Sequence, residues 1–234
     1  MLSAVIIARD EADRIGAAIR SVSFADEVIV LDSGSADDTV AIARAAGARV
    51  VETDWPGFVA QKNRAWTEAK GDWVLSIDAD ERVGDALRDE ICEVLRHPMA
   101  SGYSMPRRNV WLGHALAHGH WYPDRKVRLS RRDAAEWGGV DPHDVLVVRG
   151  TIGFLRSDLE HIPYRTLAEH FDTLDRYATI GARRGTILDI AARPLWHFFT
   201  GYVLRLGVLD GVPGLLVASM GALGVLLKWT RGRR

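Results

Sequence analysis

The chain of 234 residues is long enough for one α/β domain with a complete core and a short additional segment. Its 30 lysines and arginines balance 31 aspartates and glutamates, so no overall positive field favours binding to nucleic acid. The only cysteine, Cys92, excludes an intramolecular disulfide and a cysteine-rich zinc site. The start of the chain has no basic region and no small-residue cleavage site, which predicts a protein that remains in the cytoplasm.

Apolar runs and helical patterns alternate through the first part of the chain. Strands are predicted at residues 3–8, 27–31, from 50 and at 73–77, with helices at 15–22, after Ser35, at 58–69 and at 87–96. Ser35 is predicted to cap the second of these helices, with Asp38 completing a capping box and Gly47 ending the helix. Near-continuous apolar strands between helices favour a Rossmann-like, mostly parallel sheet with helices on both faces.

The remaining chain is less regular. Residues 103–148 hold short apolar pieces separated by Gly, Pro and His, which predicts antiparallel strands and long loops. Residues 166–190 are predicted as one helix. The composition changes near Pro194, after which charges become rare. We therefore predict one α/β domain over residues 1–193 and a separate apolar segment over residues 194–234.

The apolar segment contains two pieces, residues 195–209 and 212–227, on either side of Asp210-Gly211. The second piece has sixteen residues, fewer than the roughly twenty that a helix needs to cross a bilayer. We expect a broken helical hairpin that lies in the cytoplasmic leaflet of a membrane, or alternatively a buried helical pair or dimer interface. Four basic residues would contact anionic headgroups: Lys228, Arg231, Arg233 and Arg234.

Acidic residues follow three of the predicted strands. Asp10 and Glu11 follow the first, Asp32 ends the second, and residues 78–81 follow the fourth. The carboxyl ends of parallel strands share one edge of a sheet, and ligands of open α/β sheets bind at that edge. These loops therefore predict a ligand site.

The triplet Asp78-Ala79-Asp80 places two carboxylates on alternate residues at a strand end. Such a pair can share one hard divalent cation with phosphate oxygens. Alternatively, Asp80 caps a helix that starts near Val83.

The loop after the second strand also has two interpretations. The carboxylate of Asp32 can accept the N3–H of a uracil ring, and Gly34 lets a base approach the backbone closely. A plain strand-to-helix turn explains Ser35 and Asp38, but it does not explain Asp32.

Motifs along the whole chain resemble those of a known family. Four of them resemble glycosyltransferase family 2 in order and spacing: Ala8-Arg9-Asp10-Glu11, Asp32-Ser33-Gly34-Ser35-x-Asp37-x-Thr39, Gln61-Lys62-Asn63-Arg64-Ala65 and residues 73–81. Residues 119–124, 128–132 and 138–144 resemble the bacterial lipopolysaccharide-core β-1,4-glucosyltransferase branch. The resemblance implies a GT-A fold, a UDP-sugar donor, Mg2+ or Mn2+, and inverting transfer of a hexose to a lipopolysaccharide-core or other lipid-linked acceptor.

The resemblance also implies roles for residues of this sequence. Glu11 and Asp32 would hold the uridine, in loops that also contain Ala8, Asp10 and Gly34. Asp10 stands where the family usually has Asn, which makes the donor pocket more acidic.

The remaining donor roles fall on later motifs. Lys62 or Arg64 would lie near the base or the phosphates. Asp78 would face the ribose, with Ala79 beside it. Asp80 would coordinate the metal, and His161 would approach the metal or the diphosphate.

Transfer further needs a cation at the diphosphate and a base at the acceptor. Arg125 or Arg128 would hold the diphosphate, because a guanidinium can bind two oxygens, although a solvated strand face is the alternative for Arg128. Asp144 is the predicted general base, and it stands where the branch usually has Glu. Asp141 is the second candidate for the base, with a turn before Pro142 as its structural explanation.

The sequence also offers three alternatives to this function. His114, His118 and His120 are close enough in sequence to suggest a zinc site. A sugar-nucleotide-forming nucleotidyltransferase would share acidic metal loops, but it would need a glycine-rich loop after the first strand, where residues 8–12 contain no glycine. A membrane protein that only binds nucleotide would retain the pocket without turnover.

Overall fold

The computed structural model describes residues 1–141 and 143–232. Its contacts divide the chain into two compact units. The first unit comprises Met1–Arg107 and Arg125–His161, and the second comprises Arg108–Asp124 and the chain from Ile162 onward. The predicted boundary between residues 193 and 194 lies inside the second unit. Arg233 and Arg234 of the predicted basic tail lie outside the described residues.

Four parallel strands form one half of the sheet in the first unit. They are β1 (Leu2–Ala8), β2 (Glu27–Asp32), β3 (Arg49–Glu52) and β4 (Trp73–Asp78), in the order β3-β2-β1-β4. In this register Ala8 lies opposite Asp32, and Ile7 lies opposite Asp78. The acidic residues that end β2 and β4 therefore share one sheet edge, as the sequence predicts.

Helices cover both faces of this half. They are α1 (Ile15–Ser21), α2 (Thr39–Ala45), α3 (Phe58–Glu68) and α4 (Asp85–Arg96). Successive strand residues point to opposite faces, so Ile6 packs in one buried cluster with Ile15 and Leu87, whereas Val5 packs in another with Trp66. Burial on both faces explains why these strands read as continuous apolar runs.

Two predicted helix caps are wrong. The second helix begins at Thr39 with Asp38 at its N-cap position, and no side chain caps it. Ser35 instead donates its hydroxyl to Asp32, within the turn that precedes the helix. The fourth helix begins at Asp85 with Gly84 at the N-cap, because residues near Val83 form a short strand. Asp80 therefore does not cap a helix.

Shorter strands complete the sheet. They are β5 (Glu81–Val83), β6 (Gly102–Trp111), β7 (His114–Ala115), β8 (Asp124–Arg131), β9 (Ala135–Val140), β10 (His143–Val148), β11 (Ile152–Phe154) and β12 (Leu159–His161). The order continues from β4 through β8, β6, β12 and β5, with β8 antiparallel to β4. Strands β9 and β10 form a separate antiparallel hairpin in which Asp144 lies opposite Gly139. The predicted change to antiparallel strands is confirmed.

The second unit is mainly helical. It contains α5 (Leu167–Ile180), α6 (Ile187–Phe199) and α7 (Gly211–Arg231), with a π-helical turn at Thr200–Leu204 and a 3-10 turn at Gly207–Asp210. The prediction of one helix over residues 166–190 is wrong, because the chain breaks after Ile180 and starts again at a capping box formed by Thr186 and Asp189.

Helix α7 is longer than the predicted sixteen residues. It has 21 residues, because Pro213 falls in the first turn, where its missing N–H costs no helical hydrogen bond, and the last turn extends to Arg231. Within the described residues, Gly207–Arg231 is long and apolar enough to cross a membrane, judged by length and composition alone. The predicted C-terminal apolar helical segment is confirmed as a structural element.

Gly71 allows the connection before β4 to pass close to the start of β1. A β-carbon at this position would lie 2.7 Å from the Met1 carbonyl oxygen and 2.8 Å from the Ser3 nitrogen. We expect Gly71→Ala to lower the free energy of unfolding by about 1–3 kcal/mol, because the backbone atoms must move apart. Gly84→Ala is the control, since nothing lies within 4 Å of its added carbon. Urea unfolding of both variants measures the difference, and equal stabilities would contradict the steric argument.

Candidate active site

The carboxylate of Asp78 lies between two buried cations at the edge of the sheet. Its Oδ1 lies 2.9 Å from Lys62 Nζ on α3, and its Oδ2 accepts a 2.7 Å hydrogen bond from Arg128 on β8. Burial by itself raises the pKa of Asp78, but the charges of Arg128 and Lys62 outweigh this effect and hold the pKa well below its usual range. Three elements distant in sequence therefore meet at one ionised carboxylate.

Glu81 holds the other side of this arrangement. It is fully buried, and its Oε1 accepts hydrogen bonds from Arg128 at 2.7 Å and from Arg107 at 3.3 Å. Its Oε2 accepts the backbone N–H of Asp78 at 3.0 Å. Burial lowers the pKa of Arg128, but Asp78 and Glu81 outweigh burial and raise it. The alternative that Arg128 lies on a solvated strand face is therefore wrong.

Glu81 has no role in the site predicted from the sequence motifs. The available signal is its position in β5, where Glu81 and Val83 share the buried face while Arg82 between them does not. A glutamate on the inward face of a short strand requires a buried cationic partner.

Lys62 also joins Asp78 to the predicted base. Its Nζ lies 2.7 Å from Asp144 Oδ2 and 4.4 Å from the centre of the Trp137 ring, against which the ammonium packs. The side chain of Asp144 is 13% exposed, so solvent still reaches it. The structure therefore brings Lys62, Asp78 and Asp144 together.

The hairpin that carries Asp144 is attached to α3 at two further points. The two carboxylate oxygens of Asp141 accept the backbone N–H groups of Phe58 and Val59 at 2.9 and 3.0 Å, which are free donors of the first helical turn. The side chain of Asn63 exchanges two hydrogen bonds with the backbone of Trp137, at 2.8 and 2.9 Å. Asp141 therefore caps α3 from a loop that is distant in sequence. Pro142 lies outside the described residues.

Asp80 and His161 form the candidate metal position. Asp80 Oδ2 lies 3.3 Å from His161 Nε2, and both side chains are partly exposed. Burial raises the pKa of Asp80, but the hydrogen bond and charge of His161 outweigh it and the pKa is lowered.

A carboxylate oxygen with an imidazole nitrogen suits Mn2+, and Mg2+ commonly takes one or two protein ligands together with phosphates. No group of three or more His, Cys, Asp or Glu side chains that could hold a metal occurs in residues 1–141 and 143–232. The pair therefore fits a metal that takes its remaining ligands from water and a bound diphosphate.

Asp32 organises the turn at the end of β2. Its Oδ2 accepts the N–H groups of Gly34 and Ser35 at 3.0 and 2.9 Å, and its Oδ1 accepts the Ser35 hydroxyl. One lone pair remains on Oδ1 for another donor. Gly34 has a φ of +77°, and no atom lies within 4 Å of the position of an added β-carbon, so its surface is open.

The loop after β1 is tied to the same turn. Asp10 has a φ of +55° and accepts the Ala36 N–H at 2.8 Å, while the Asp10 N–H donates to Ser35. The Glu11 N–H donates to the Thr39 hydroxyl at 2.8 Å. Ala8 ends β1 beside Asp32. These predicted nucleotide-binding residues are neighbours in the structure.

Three residues predicted to bind the sugar donor take no part in the contacts around Asp78 and Asp32. Arg64 is paired with Asp54 at 2.6 Å on an exposed surface. Arg125 donates to the carbonyl oxygens of Ser104 and Leu155 and packs over the Phe154 ring. Ala79 is buried, and its carbonyl oxygen accepts a hydrogen bond from Arg82.

His114, His118 and His120 do not form the predicted zinc site. His118 is paired with Asp210 at 2.8 Å, whereas His120 stacks on His197 at a centroid distance of 4.2 Å. His114 lies in the exposed strand β7.

Comparison with known proteins agrees with this geometry. The family profile described as Glycosyl transferase family 2 matches residues 3–133, more than half of the chain. The chain belongs to glycosyltransferase family 2. The family predicted from the motifs is confirmed.

The relatives of this family 2 chain differ in how much of it they match. It is 29% identical over 243 residues to the lipopolysaccharide core biosynthesis glycosyltransferase LpsC of Rhizobium meliloti (strain 1021), covering 97% of this chain and 89% of that protein. It is 55% identical over 91 residues to an uncharacterized glycosyltransferase of Rickettsia bellii, covering 38% of this chain and 31% of that protein. The chain thus matches about a third of the length of this Rickettsia relative.

A solved structure shares the fold of this family 2 chain. It is glucosyl-3-phosphoglycerate synthase from Mycobacterium tuberculosis in complex with Mn2+, UDP-glucose and phosphoglyceric acid. The TM-score is 0.50 at 21% identity, over 72% of this chain and 74% of that one. The likeness shows the fold, which is the predicted GT-A fold.

The ion pairs of Arg128 make a stability test possible. We expect Arg128→Leu to lower the free energy of unfolding by about 3–5 kcal/mol, because buried Glu81 and Asp78 lose the same cationic partner. Arg131→Leu on the same strand is the control, because this exposed side chain only packs over the Trp73 ring, and it should cost less than about 1 kcal/mol. Urea unfolding at neutral pH measures both values. A cost for Arg128→Leu no larger than that of the control would contradict the proposed electrostatic arrangement.

Proposed function

We propose that this family 2 protein is an inverting glycosyltransferase that moves a hexose from a UDP-sugar to a hydroxyl of a lipopolysaccharide-core or other lipid-linked acceptor. The observation that carries the proposal is that Lys62 contacts both Asp78 and Asp144 at the sheet edge. Asp80, which pairs with His161, follows Asp78 by two residues in the chain. In this proposal the edge would supply separate groups for a nucleotide, a metal and an acceptor proton.

The donor and acceptor classes rest on different relatives. The M. tuberculosis neighbour was crystallised with UDP-glucose and Mn2+, which supports a UDP-sugar donor with glucose as the first candidate. LpsC is named for lipopolysaccharide core biosynthesis and matches nearly the whole chain, which supports an acceptor of that class. Such an acceptor is carried by a membrane, and we propose that the protein works at the cytoplasmic face of the inner membrane.

The nucleotide would lie along the loops after β1 and β2. The remaining lone pair of Asp32 would accept the uracil N3–H, and the open surface at Gly34 would receive the base. Asp10 and Glu11 hold the adjoining loop in place through their contacts with the turn. Asp78 would face the ribose.

The diphosphate would lie near Arg128 and Lys62, the two cations that Asp78 orients. A guanidinium can hold two phosphate oxygens at once. Arg125 is the second candidate, because one of its terminal nitrogens donates to two carbonyl oxygens and its guanidinium packs over Phe154, away from Asp78. Asp80 and His161 would hold Mg2+ or Mn2+, which when bound neutralises the leaving diphosphate.

Asp144 would act as the general base. Its carboxylate is oriented by Lys62 and remains in reach of solvent, so an acceptor hydroxyl can approach it. Asp141 is the weaker candidate, because both of its oxygens cap α3. Inverting transfer requires such a base on the face opposite the leaving diphosphate.

Metal-dependent nucleotide binding tests the Asp80 assignment. We expect UDP to bind about 5- to 150-fold more tightly with Mn2+ than with EDTA, and Asp80→Asn to remove most of this difference. Asp85→Asn on the exposed first turn of α4 is the control and should bind like the wild type. Calorimetry gives the affinities. Equal UDP affinity in Mn2+ and EDTA would rule out the assignment.

Acceptor transfer tests the Asp144 assignment. We expect Asp144→Asn to lower the transfer rate by about 10²–10⁴-fold with little change in UDP affinity, because the substitution removes the basic group and keeps its shape. Asp144→Glu should restore part of the activity. Transfer to a lipopolysaccharide-core acceptor is measured beside UDP calorimetry. If Asp144→Asn remains active and Asp141→Asn does not, the base lies three residues earlier.

A further inference from the structure

The second unit exposes an unusual number of large apolar side chains between residues 187 and 216. Six of them are between 63% and 75% exposed: Ile187, Leu188, Leu195, Trp196, Leu209 and Val212. They lie on α6, on the turns after it and at the start of α7. A group of exposed large apolar side chains on neighbouring elements of this kind marks a contact with a protein or a membrane.

Helices α6 and α7 form an antiparallel hairpin. The guanidinium of Arg193 lies 4.4 Å from the centre of the Trp229 ring, near the start of α6 and the end of α7. Farther along, a β-carbon on Gly221 would lie 2.7 Å from His197 Nε2. Arg193 lies beside Trp229, and His197, later in α6, lies beside Gly221, earlier in α7, so the two helices run antiparallel. The exposed residues 195–216 therefore surround the closed end of the hairpin.

Polar segments accompany α7 at both of its ends. At its C-terminal end, Arg231 donates to Asp175 and Thr179 of α5. At its N-terminal end, Asp210 accepts the N–H of His118 at 2.9 Å and pairs with the His118 ring. Between these ends, Val217 packs against Trp111 in a small buried cluster. One side of α7 is therefore covered along its length.

This cover is incompatible with a helix that crosses a bilayer. At 1.5 Å per residue α7 extends over about 30 Å, the full thickness of the hydrocarbon core. If α7 crossed the core, the charged residues of α5 packed beside it, among them exposed Asp172 and Arg176, would enter lipid. Charges at that depth cost several kcal/mol each. The hairpin fits a position parallel to the membrane surface.

The charged residues of the second unit indicate which kind of membrane surface it binds. Residues 181–232 contain six lysines and arginines against two aspartates. Both aspartates are engaged, Asp189 by Arg193 and Asp210 by His118, whereas Arg183, Arg184 and Arg205 are exposed. Exposed arginines beside exposed leucines and a tryptophan are the features that bind an anionic lipid surface.

We propose that the α6–α7 hairpin lies in the plane of one leaflet of an anionic membrane, with the side chains between Leu195 and Leu216 in the interface and no segment crossing the bilayer. The inference rests on the proposed function only in that a membrane-borne acceptor requires the enzyme at that surface.

Vesicle flotation of the full-length protein tests the surface. The protein should float with vesicles of phosphatidylcholine mixed with phosphatidylglycerol, and less with phosphatidylcholine alone. Replacement of Leu195, Trp196 and Leu209 by Gln should lower the affinity by at least about tenfold, because three apolar side chains leave the interface. Replacement of exposed Val145, Val147 and Ile152 of the first unit by Gln is the matched control and should leave flotation unchanged. Equal loss in both variants, or none in either, overturns the proposal.

Two further measurements separate the mode of attachment. Brominated lipids should quench tryptophan fluorescence in the wild type and in Trp55→Phe, but much less in Trp196→Phe. Alkaline extraction should release the protein from the vesicles. Retention in the alkaline pellet would mean a spanning helix and would overturn the proposal. Dimers whose formation buries Trp196 without vesicle binding would show that a second copy covers this face, with the same consequence.

These assays contain neither sugar donor nor acceptor, so they are independent of the transfer reaction. Metal-dependent UDP binding of each variant, measured by calorimetry, confirms that the first unit is folded. Failure of sugar transfer with intact vesicle binding counts against the proposed reaction alone. Intact UDP binding without flotation counts against the membrane surface alone.

Discussion

The pairing of Asp78 with Lys62 and Arg128 connects the parts of the first unit that carry the candidate chemistry. Each of the two cations is almost completely buried, and a buried cation is stable only beside an anion. Asp78, at the end of β4, pairs with both cations. Helix α3, which carries Lys62, and strand β8, which carries Arg128, must therefore lie close to that strand end. Glu81 completes the pairing of Arg128 from the next strand. These ion pairs therefore constrain the positions of the surrounding elements as strictly as packing constrains the apolar core.

Helix α3 transmits this arrangement to the hairpin of β9 and β10. Its first turn is capped by Asp141, Asn63 hydrogen-bonds to the backbone at Trp137, and Lys62 reaches Asp144. Three contacts along one helix face fix both the position and the register of the hairpin. A side chain on a short two-stranded ribbon would otherwise be poorly oriented, because such ribbons have little stability of their own. The orientation of Asp144 is therefore a property of α3 as much as of its own loop.

The sequence predicts the parallel half of the fold because its information is local: apolar runs define β1, β2 and β4, and acidic residues at their ends mark the ligand edge. What it misses depends on partners far along the chain. Asp141 caps a helix 83 residues away, and nothing near it in sequence signals that role. The break between α5 and α6 has a local cause instead: Gly181 and Gly185 interrupt the helical pattern, and the capping box at Thr186 starts the next helix. Arg64 pairs with Asp54 on an exposed surface, and a motif does not reveal that contact.

The charges around Asp78 cancel. Lys62, Arg107 and Arg128 carry three positive charges, and Asp78, Glu81 and Asp144 carry three negative ones. In the proposed reaction an entering diphosphate would add negative charge to this balanced set, which favours a cation that accompanies it. Thermodynamic linkage then makes the coupling reciprocal: whatever factor a metal adds to nucleotide affinity, the nucleotide adds to metal affinity. In that reaction, departure of the nucleotide would therefore weaken retention of the metal, and product release would involve both partners rather than one.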